Sequence, residues 1–316
     1  MNEFKIISDQ EVETRIGMKK AIELMAEAFL QISHRSAQVP VRSSLHTSDA
    51  QGRILFMPAY SPAYNLFGIK TVSVFPENSK KGLPSIQGKI LVFDDQSGIP
   101  LAIIDAEYLT ALRTGAASGL ATKLLADPDA KVLAIFGTGA QAKTQVAAIL
   151  EIRNIEEVLV FGTSTEKSIQ FCEYLENVYP IKCKTGDRET NLMKANIICT
   201  ATTTTQPLFS IDQVNTGVHI NGIGSFKPDM HEIDSEIIKA SLLVVDHRES
   251  VLSEAGDIII PIKEGLINEK HIHAEQGEII SGSKKSKTNH QQISVFKSVG
   301  NAIQDLALAS YLLKNK

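Results

Sequence analysis

Along this chain the spacing of apolar residues changes character near residue 130. Before that point a helical period over 18–33, with Ile22, Met25, Ala26 and Phe29 at helical spacing, is followed by apolar runs at 53–60, 67–75, 86–93 and 99–104. These runs read as strands, and turn residues separate them: Pro62, Lys81-Gly82 and Gln96-Ser97-Gly98. A helix predicted over 107–125 stops at the punctuating Asp127-Pro128-Asp129. After residue 130 strand and helix patterns alternate, with candidate strands at 132–136, 158–161, 197–200, 219–223 and 242–245. Such alternation predicts a parallel, doubly wound sheet. The polar, lysine-rich segment 281–292 reads as a loop, and 294–313 reads as an amphipathic helix. A C-terminal helix that apolar needs a surface to pack on, so it is expected to return to the N-terminal domain.

The junction between the two patterns carries the strongest local signal. Residues 131–136 (KVLAIF) run into Gly137-Thr138-Gly139-Ala140-Gln141-Ala142. An apolar strand, a Gly-x-Gly turn and a helix-forming segment make a phosphate-binding turn. Gly137 permits the tight turn, Gly139 lets backbone amides approach a pyrophosphate, and Ala142 lets the helix pack close to the strand. The helix then aims its unpaired N–H groups at the anion. The expected fold class is α/β: a Rossmann-type doubly wound parallel sheet domain over 119–293, and an α+β N-terminal domain over 1–118 completed by the C-terminal helix at 294–316.

Composition narrows the function classes. The 316 residues are 43% hydrophobic, enough for two cores, and the net charge of −4 gives no basic footprint for nucleic acid or an anionic membrane. No apolar run has the length of a membrane span, and the first residues lack a signal-peptide core. Cys172, Cys183 and Cys199 show no C-x-x-C spacing and read as buried free thiols of a cytoplasmic protein. His271-x-His273 has no further ligand set nearby, so no metal site is expected.

Three cations of the N-terminal half interrupt or border apolar stretches: Arg42, Lys70 and Arg113. Taken singly, a lysine in a strand pattern ordinarily points to solvent, and an arginine on a helix is ordinarily a surface charge. Taken together they would suit a small anion. Arginines grip a carboxylate bidentately, and a desolvated lysine beside other cations has a depressed pKa suited to proton transfer.

The segments Gly88-Lys89-Ile90-Leu91-Val92-Phe93-Asp94, Ser97-Gly98-Ile99-Pro100-Leu101-Ala102 and Leu109-Thr110-Ala111-Leu112-Arg113-Thr114-Gly115 resemble those of the ornithine cyclodeaminase/mu-crystallin family. The resemblance continues, in order, through the Gly137 turn, Cys199-Thr200-Ala201-Thr202-Thr203, Asn221-Gly222-Ile223-Gly224-Ser225 and Val295-Phe296-Lys297-Ser298-Val299-Gly300. It implies a two-domain NAD(P)-binding protein that forms a homodimer through its N-terminal domain. It also implies that Arg42, Lys70 and Arg113 bind the carboxylate of a small imino or amino acid, with the reactive carbon held against the nicotinamide. Lys70 and Asp305 are the candidates for catalytic proton handling, Asp305 only if the final helix returns toward the site.

Cofactor contacts are expected from Gly137, Thr138, Gly139, Ala140 and Gln141 at the turn. Further contacts are expected from Thr163 and Ser164 after the second strand, from Thr202 and Thr203 after the strand 197–200, and, through the resemblance, from Thr114, Gly224, Ser225, Val299 and Gly300. The second strand ends in Gly162-Thr163-Ser164 without the acid that bonds a ribose 2′-hydroxyl, which leans the cofactor toward NADPH with NADH tolerated. In cyclodeaminases of the family an aspartate follows the Gly224-Ser225 turn, whereas here Phe226 stands there and cannot move a proton. The Gly224–Met230 run is similar to the family's branch that reduces Δ1-pyrroline-2-carboxylate or related ketimines. An amino-acid dehydrogenase, a cyclodeaminase or a non-catalytic NADPH-dependent ligand binder remain open alternatives.

Overall fold

The computed structural model describes residues 4–49, 51–187 and 192–314. The chain divides into two compact units, Met1–Arg113 with Gly300–Lys316, and Thr114–Val299.

The first unit is built on a six-stranded sheet of β1 (Lys5–Ile7), β2 (Ser43–His46), β3 (Arg53–Ser61), β4 (Leu66–Val74), β5 (Ile86–Asp94) and β6 (Pro100–Asp105). The order is β1-β6-β5-β4-β3-β2, antiparallel except for the β1–β6 pair. Leu55, Met57, Ala59, Leu66, Ile90, Val92, Ala102 and Ile104 are buried. The helix Ala302–Lys314 touches β3, β4 and β5 and packs on the helix Met18–Ser33. Gly68 lets this helix come close: a Cβ there would meet Leu306 at 2.8 Å. The ladder places Lys70 between Met57 and Ile90, so it stands on the buried face rather than in solvent. Pro58, Ile69, Leu91 and Ile103 share the next row on the opposite face, beside the stacked pair Tyr60–Phe67.

The second unit is an eight-stranded, wholly parallel sheet: β7 (Val132–Phe136), β8 (Glu157–Phe161), β9 (Lys182–Thr185), β10 (Ile197–Thr200), β11 (His219–Gly222), β12 (Leu242–Val245), β13 (Ile272–Glu275) and β14 (Ser294–Lys297). Their order is β13-β12-β14-β11-β10-β7-β8-β9. Alternate residues of the strands feed separate cores. Leu133, Ile135, Val158 and Val160 join Val146, Ile149 and Leu175 of the helices Ala140–Ile152 and Thr165–Val178. Ala134, Phe136, Leu159 and Phe161 join Ile237, Ile238, Val251 and Ile258. From β7 the chain winds outward through β8 and β9, then returns to lay β10 and β11 on the other side. That reversal makes the carboxyl ends of β7 and β10 the topological switch point, where such sheets bind ligands.

Expectations for the C-terminal segment are corrected here. Residues 294–297 are not the start of the final helix but the strand β14, which lies between β11 and β12. Its four residues are buried, because neighbours on both sides and both faces enclose it. The unit boundaries accordingly fall at 113/114 and 299/300 rather than at 118/119 and 293/294. The helix Ala302–Lys314 is buried almost all round, not on one stripe. Among the described residues no helix is long and apolar enough to cross a membrane.

Candidate active site

In the first unit Lys70, Arg113 and Asp305 converge. Burial is nearly complete: 2% of Lys70, 5% of Arg113 and 1% of Asp305 remain exposed. The Lys70 ammonium lies 2.9 Å from Oδ1 and 2.7 Å from Oδ2 of Asp305, and its Nζ is 3.4 Å from the Thr110 hydroxyl. Arg113 donates from Nε to Asp305 Oδ1 at 3.2 Å and from Nη1 to Gln304 Oε1 at 2.8 Å. Gln304 and Asp305 hold these cations because the final helix returns onto the sheet. Arg42 joins from its own loop, donating to the Gly300 carbonyl at 3.1 Å. Gly300 itself has a φ of +74°, and a Cβ there would strike the Arg113 guanidinium at 2.3 Å, so glycine is required.

The electrostatics follow from this packing. Burial pulls the Lys70 pKa down from the usual 10.5 to about 7; Asp305 opposes the shift, and the charges of Arg113 and Arg42 add to it. Among the described residues, Lys70 and Arg113 share the single carboxylate of Asp305. Two buried cations on one anion leave positive charge uncompensated, which favours an incoming carboxylate.

In the second unit the glycine turn stands at the switch point. Gly137 has a φ of +109°, donates to the Phe161 carbonyl at 2.9 Å, and approaches Ala201 so closely that a Cβ would lie 2.5 Å from its oxygen. Gly139 caps the helix Ala140–Ile152 without any side-chain hydrogen bond, and the space where its Cβ would point is open. A helix N-terminus left uncapped beside an open glycine fits a diphosphate. Thr138 is half-buried, Ala140 exposed, and Gln141 keeps a buried Oε1 with no partner. Beyond β8, Thr163 is exposed, while the Ser164 hydroxyl caps the next helix by accepting from the Lys167 N–H at 3.3 Å. Thr114 is buried on the helix Glu107–Leu125, Thr203 is exposed, and Val299 donates from its N–H to Asp246 at 3.2 Å.

The loops after β10 and β11 are tied together by a residue the sequence reading passed over. Glu232 accepts from the Thr202 N–H and hydroxyl, both at 2.7 Å, and from Thr200 Oγ1 and the Ser225 N–H, both at 2.9 Å. Gly224 is packed so tightly that a Cβ would meet Thr202 at 2.3 Å. The Ser225 hydroxyl donates to the Met230 carbonyl. Asp257 accepts from the backbone of Glu232 and Ile233 and pairs with Lys297 at 2.9 Å. Glu232, Asp257 and Lys297 are all wholly buried. The acid in Met230-His231-Glu232-Ile233, just after a glycine turn and between apolar neighbours, was the available signal. Phe226 is partly buried and packs against the apolar core.

A parallel sheet of this order, with an uncapped glycine turn at its switch point, defines a Rossmann-type dinucleotide-binding protein. The chain belongs to the ornithine cyclodeaminase/mu-crystallin family, whose model matches residues 2–316. It is 41% identical over 310 residues to the Δ1-pyrroline-2-carboxylate reductase of Bacillus thuringiensis subsp. konkukian, covering 97% of this chain and 95% of that one. Among solved structures it superposes with a TM-score of 0.93 and 42% identity on the Thermococcus litoralis Δ1-pyrroline-2-carboxylate reductase in complex with NADH and L-proline, covering 98% and 96% of the two chains. An archaeal alanine dehydrogenase dimer with bound NAD gives 0.92 and 33% identity, covering 98% and 95%.

Proposed function

We propose that this protein reduces the C=N bond of a cyclic α-imino acid, Δ1-pyrroline-2-carboxylate or a close ketimine, to the corresponding amino acid such as L-proline, using NADPH or NADH. The observation that carries this reading is the buried Lys70–Arg113–Asp305 cluster, whose cations exceed its carboxylates. Arg113 and Lys70, with Arg42, hold the substrate carboxylate and so fix C2; holding a reactant in one orientation removes much of the entropic part of a barrier. The nicotinamide supplies the hydride when bound. Lys70 titrates near neutrality, so its ammonium can give a proton toward the substrate nitrogen while Asp305 keeps it oriented. Gly137, Thr138, Gly139, Ala140 and Gln141 take the diphosphate, and Thr163 flanks the adenosine ribose. The absence of an acid after β8 leaves a 2′-phosphate unopposed, which favours NADPH while admitting NADH. With Phe226, which has no proton to give, after the Gly224-Ser225 turn, ornithine cyclisation lacks its proton carrier.

The reading includes a homodimer. On the first unit's sheet Phe67 and Ile54 are 43% and 36% exposed, and Tyr60, Phe67, Ile69 and Phe93 line a cavity of about 290 Å³. An open apolar sheet face of this kind is an association surface, and the archaeal alanine dehydrogenase relative is a dimer. Phe67→Asp is expected to convert the dimer to monomer in light scattering; an unchanged mass would remove this face from the interface. The activity is tested by following NADPH and NADH absorbance with Δ1-pyrroline-2-carboxylate, with pyruvate plus ammonia, and with ornithine. Rapid oxidation with the cyclic imine alone is expected. Turnover of pyruvate and ammonia only would make the protein an amino-acid dehydrogenase, and no oxidation with any imino acid would make it a binding protein.

A further inference from the structure

Within the first unit one polar side chain has no work in the structure described so far. Asn301 immediately precedes the helix Ala302–Lys314 and is 4% exposed. Among the described residues, neither its Oδ1 nor its Nδ2 has a hydrogen-bond partner. An asparagine before a helix ordinarily accepts from an N–H of the first turn. Here Gln304 donates instead to the Asn301 backbone carbonyl, at 3.3 Å, and the side chain forgoes the cap. A buried amide with neither group bonded is costly, on the order of 1–3 kcal/mol per group, and such groups call for an explanation.

Its place in the fold supplies one. The Asn301 carbonyl accepts from the Gln304 N–H, so Asn301 opens the turn that carries Gln304 and Asp305, which hold Arg113 and Lys70. One residue before it, Gly300 lies against the Arg113 guanidinium and accepts from Arg42. Along the chain Asn301 therefore stands between residues that touch the cationic cluster. Resting on the imino-acid reading above, we propose that Asn301 is a further substrate-binding residue, whose amide reads the nitrogen edge of the substrate. The cations can only donate, and they suit the carboxylate. The protonated ring nitrogen is itself a donor and needs an acceptor. Asp305 is ion-paired with Lys70 and Arg113, and Gln304 Oε1 accepts from Arg113, so Asn301 Oδ1 is the one neutral acceptor of these three side chains that has no partner. Its Nδ2 then donates to the nearer carboxylate oxygen. One amide so spans the N–H and O⁻ of an α-imino or α-amino acid, and this specifies a ring nitrogen rather than any small carboxylate.

The test compares L-proline with tetrahydrofuran-2-carboxylate, in which a ring oxygen replaces the N–H, titrated into the NADH-loaded protein and its Asn301→Leu variant. The wild type is expected to prefer L-proline by roughly 10- to 100-fold, the worth of one hydrogen bond to a charged group, and N301L to discriminate by less than about threefold. NADH affinity and melting temperature should hold or, for the latter, rise, because the variant removes an unsatisfied buried amide. Should N301L fold poorly, N301D serves: it opposes the carboxylate with a charge, and its L-proline affinity is expected to recover on acidification below pH 7, where Lys70 is already protonated and the wild type stays level, a difference a packing role would not produce. Undiminished discrimination by N301L, or no acid recovery in N301D, overturns the assignment while leaving the reductase reading intact. A wild-type protein that binds neither compound overturns both.

Discussion

Each unit of this protein buries a lysine against a carboxylate, and the two clusters are built to opposite ends. In the second unit Glu232 and Asp257 are saturated: Glu232 receives four hydrogen bonds from two loops, and Asp257 receives two backbone N–H groups and Lys297. Nothing in that set asks for another ligand. In the first unit Lys70 and Arg113 share one carboxylate, and Asn301 and Gln304 Nε2 have no partner among the described residues. A buried charge network that is complete holds architecture, whereas one left positive and short of partners is prepared for an anion. Burial alone would not have separated them, since both are almost free of solvent contact.

That contrast can be broken by mutation. The largest effect is expected from Arg113→Met, which keeps the packing but deletes the guanidinium: kcat/KM for the cyclic imine should fall about a hundred- to ten-thousand-fold, for two charged hydrogen bonds at roughly 1.5–3 kcal/mol each. Its stability should change by no more than about 1 kcal/mol, because Lys70 and Asp305 remain as a matched pair. Glu232→Gln should do the reverse. An amide places N–H groups where a carboxylate accepted from Thr202 and Ser225, and the orphaned donors should cost about 3 kcal/mol in denaturant unfolding. Burial already raises the Glu232 pKa, so the account would be sharpened if the loss were confined to stability.

Smaller effects should come from pH. Lys70 has a folded pKa of about 7 against 10.5 unfolded, so between those values the unfolded chain binds the extra proton and stability rises with pH on this account. Anion binding uses the protonated form, so L-proline affinity should fall as pH climbs above 7, by at most about tenfold per unit. Lys70→Met should flatten both dependences. An unchanged slope in that variant would assign the titration elsewhere.

What could be read in the sequence was local. The Gly137 turn needs only a strand, two glycines and a helix in succession, and all three are contiguous. The meander β3 to β6 was legible because turn residues bound each run. The strand β14 was not: Ser294-Val295-Phe296-Lys297 is too short to show a period, and its lysine is tolerated only because Asp257, forty residues earlier, meets it inside the sheet. Lys70 was named as a candidate, but its burial depends on the final helix, 235 residues away in sequence. Glu232 and Asn301 gave weaker signs still, since a hydrogen-bond count exists only once distant loops have met.

The most direct measurement of the central claim is a calorimetric titration of L-proline into the NADH-loaded wild-type and Arg113→Met proteins, paired with their melting temperatures. The account expects saturable binding by the wild type, affinity at least about a hundredfold weaker in the variant, and melting temperatures that agree closely. Equal affinity in the two proteins, or loss of binding only together with loss of fold, would contradict the reading of this cluster as an open carboxylate site.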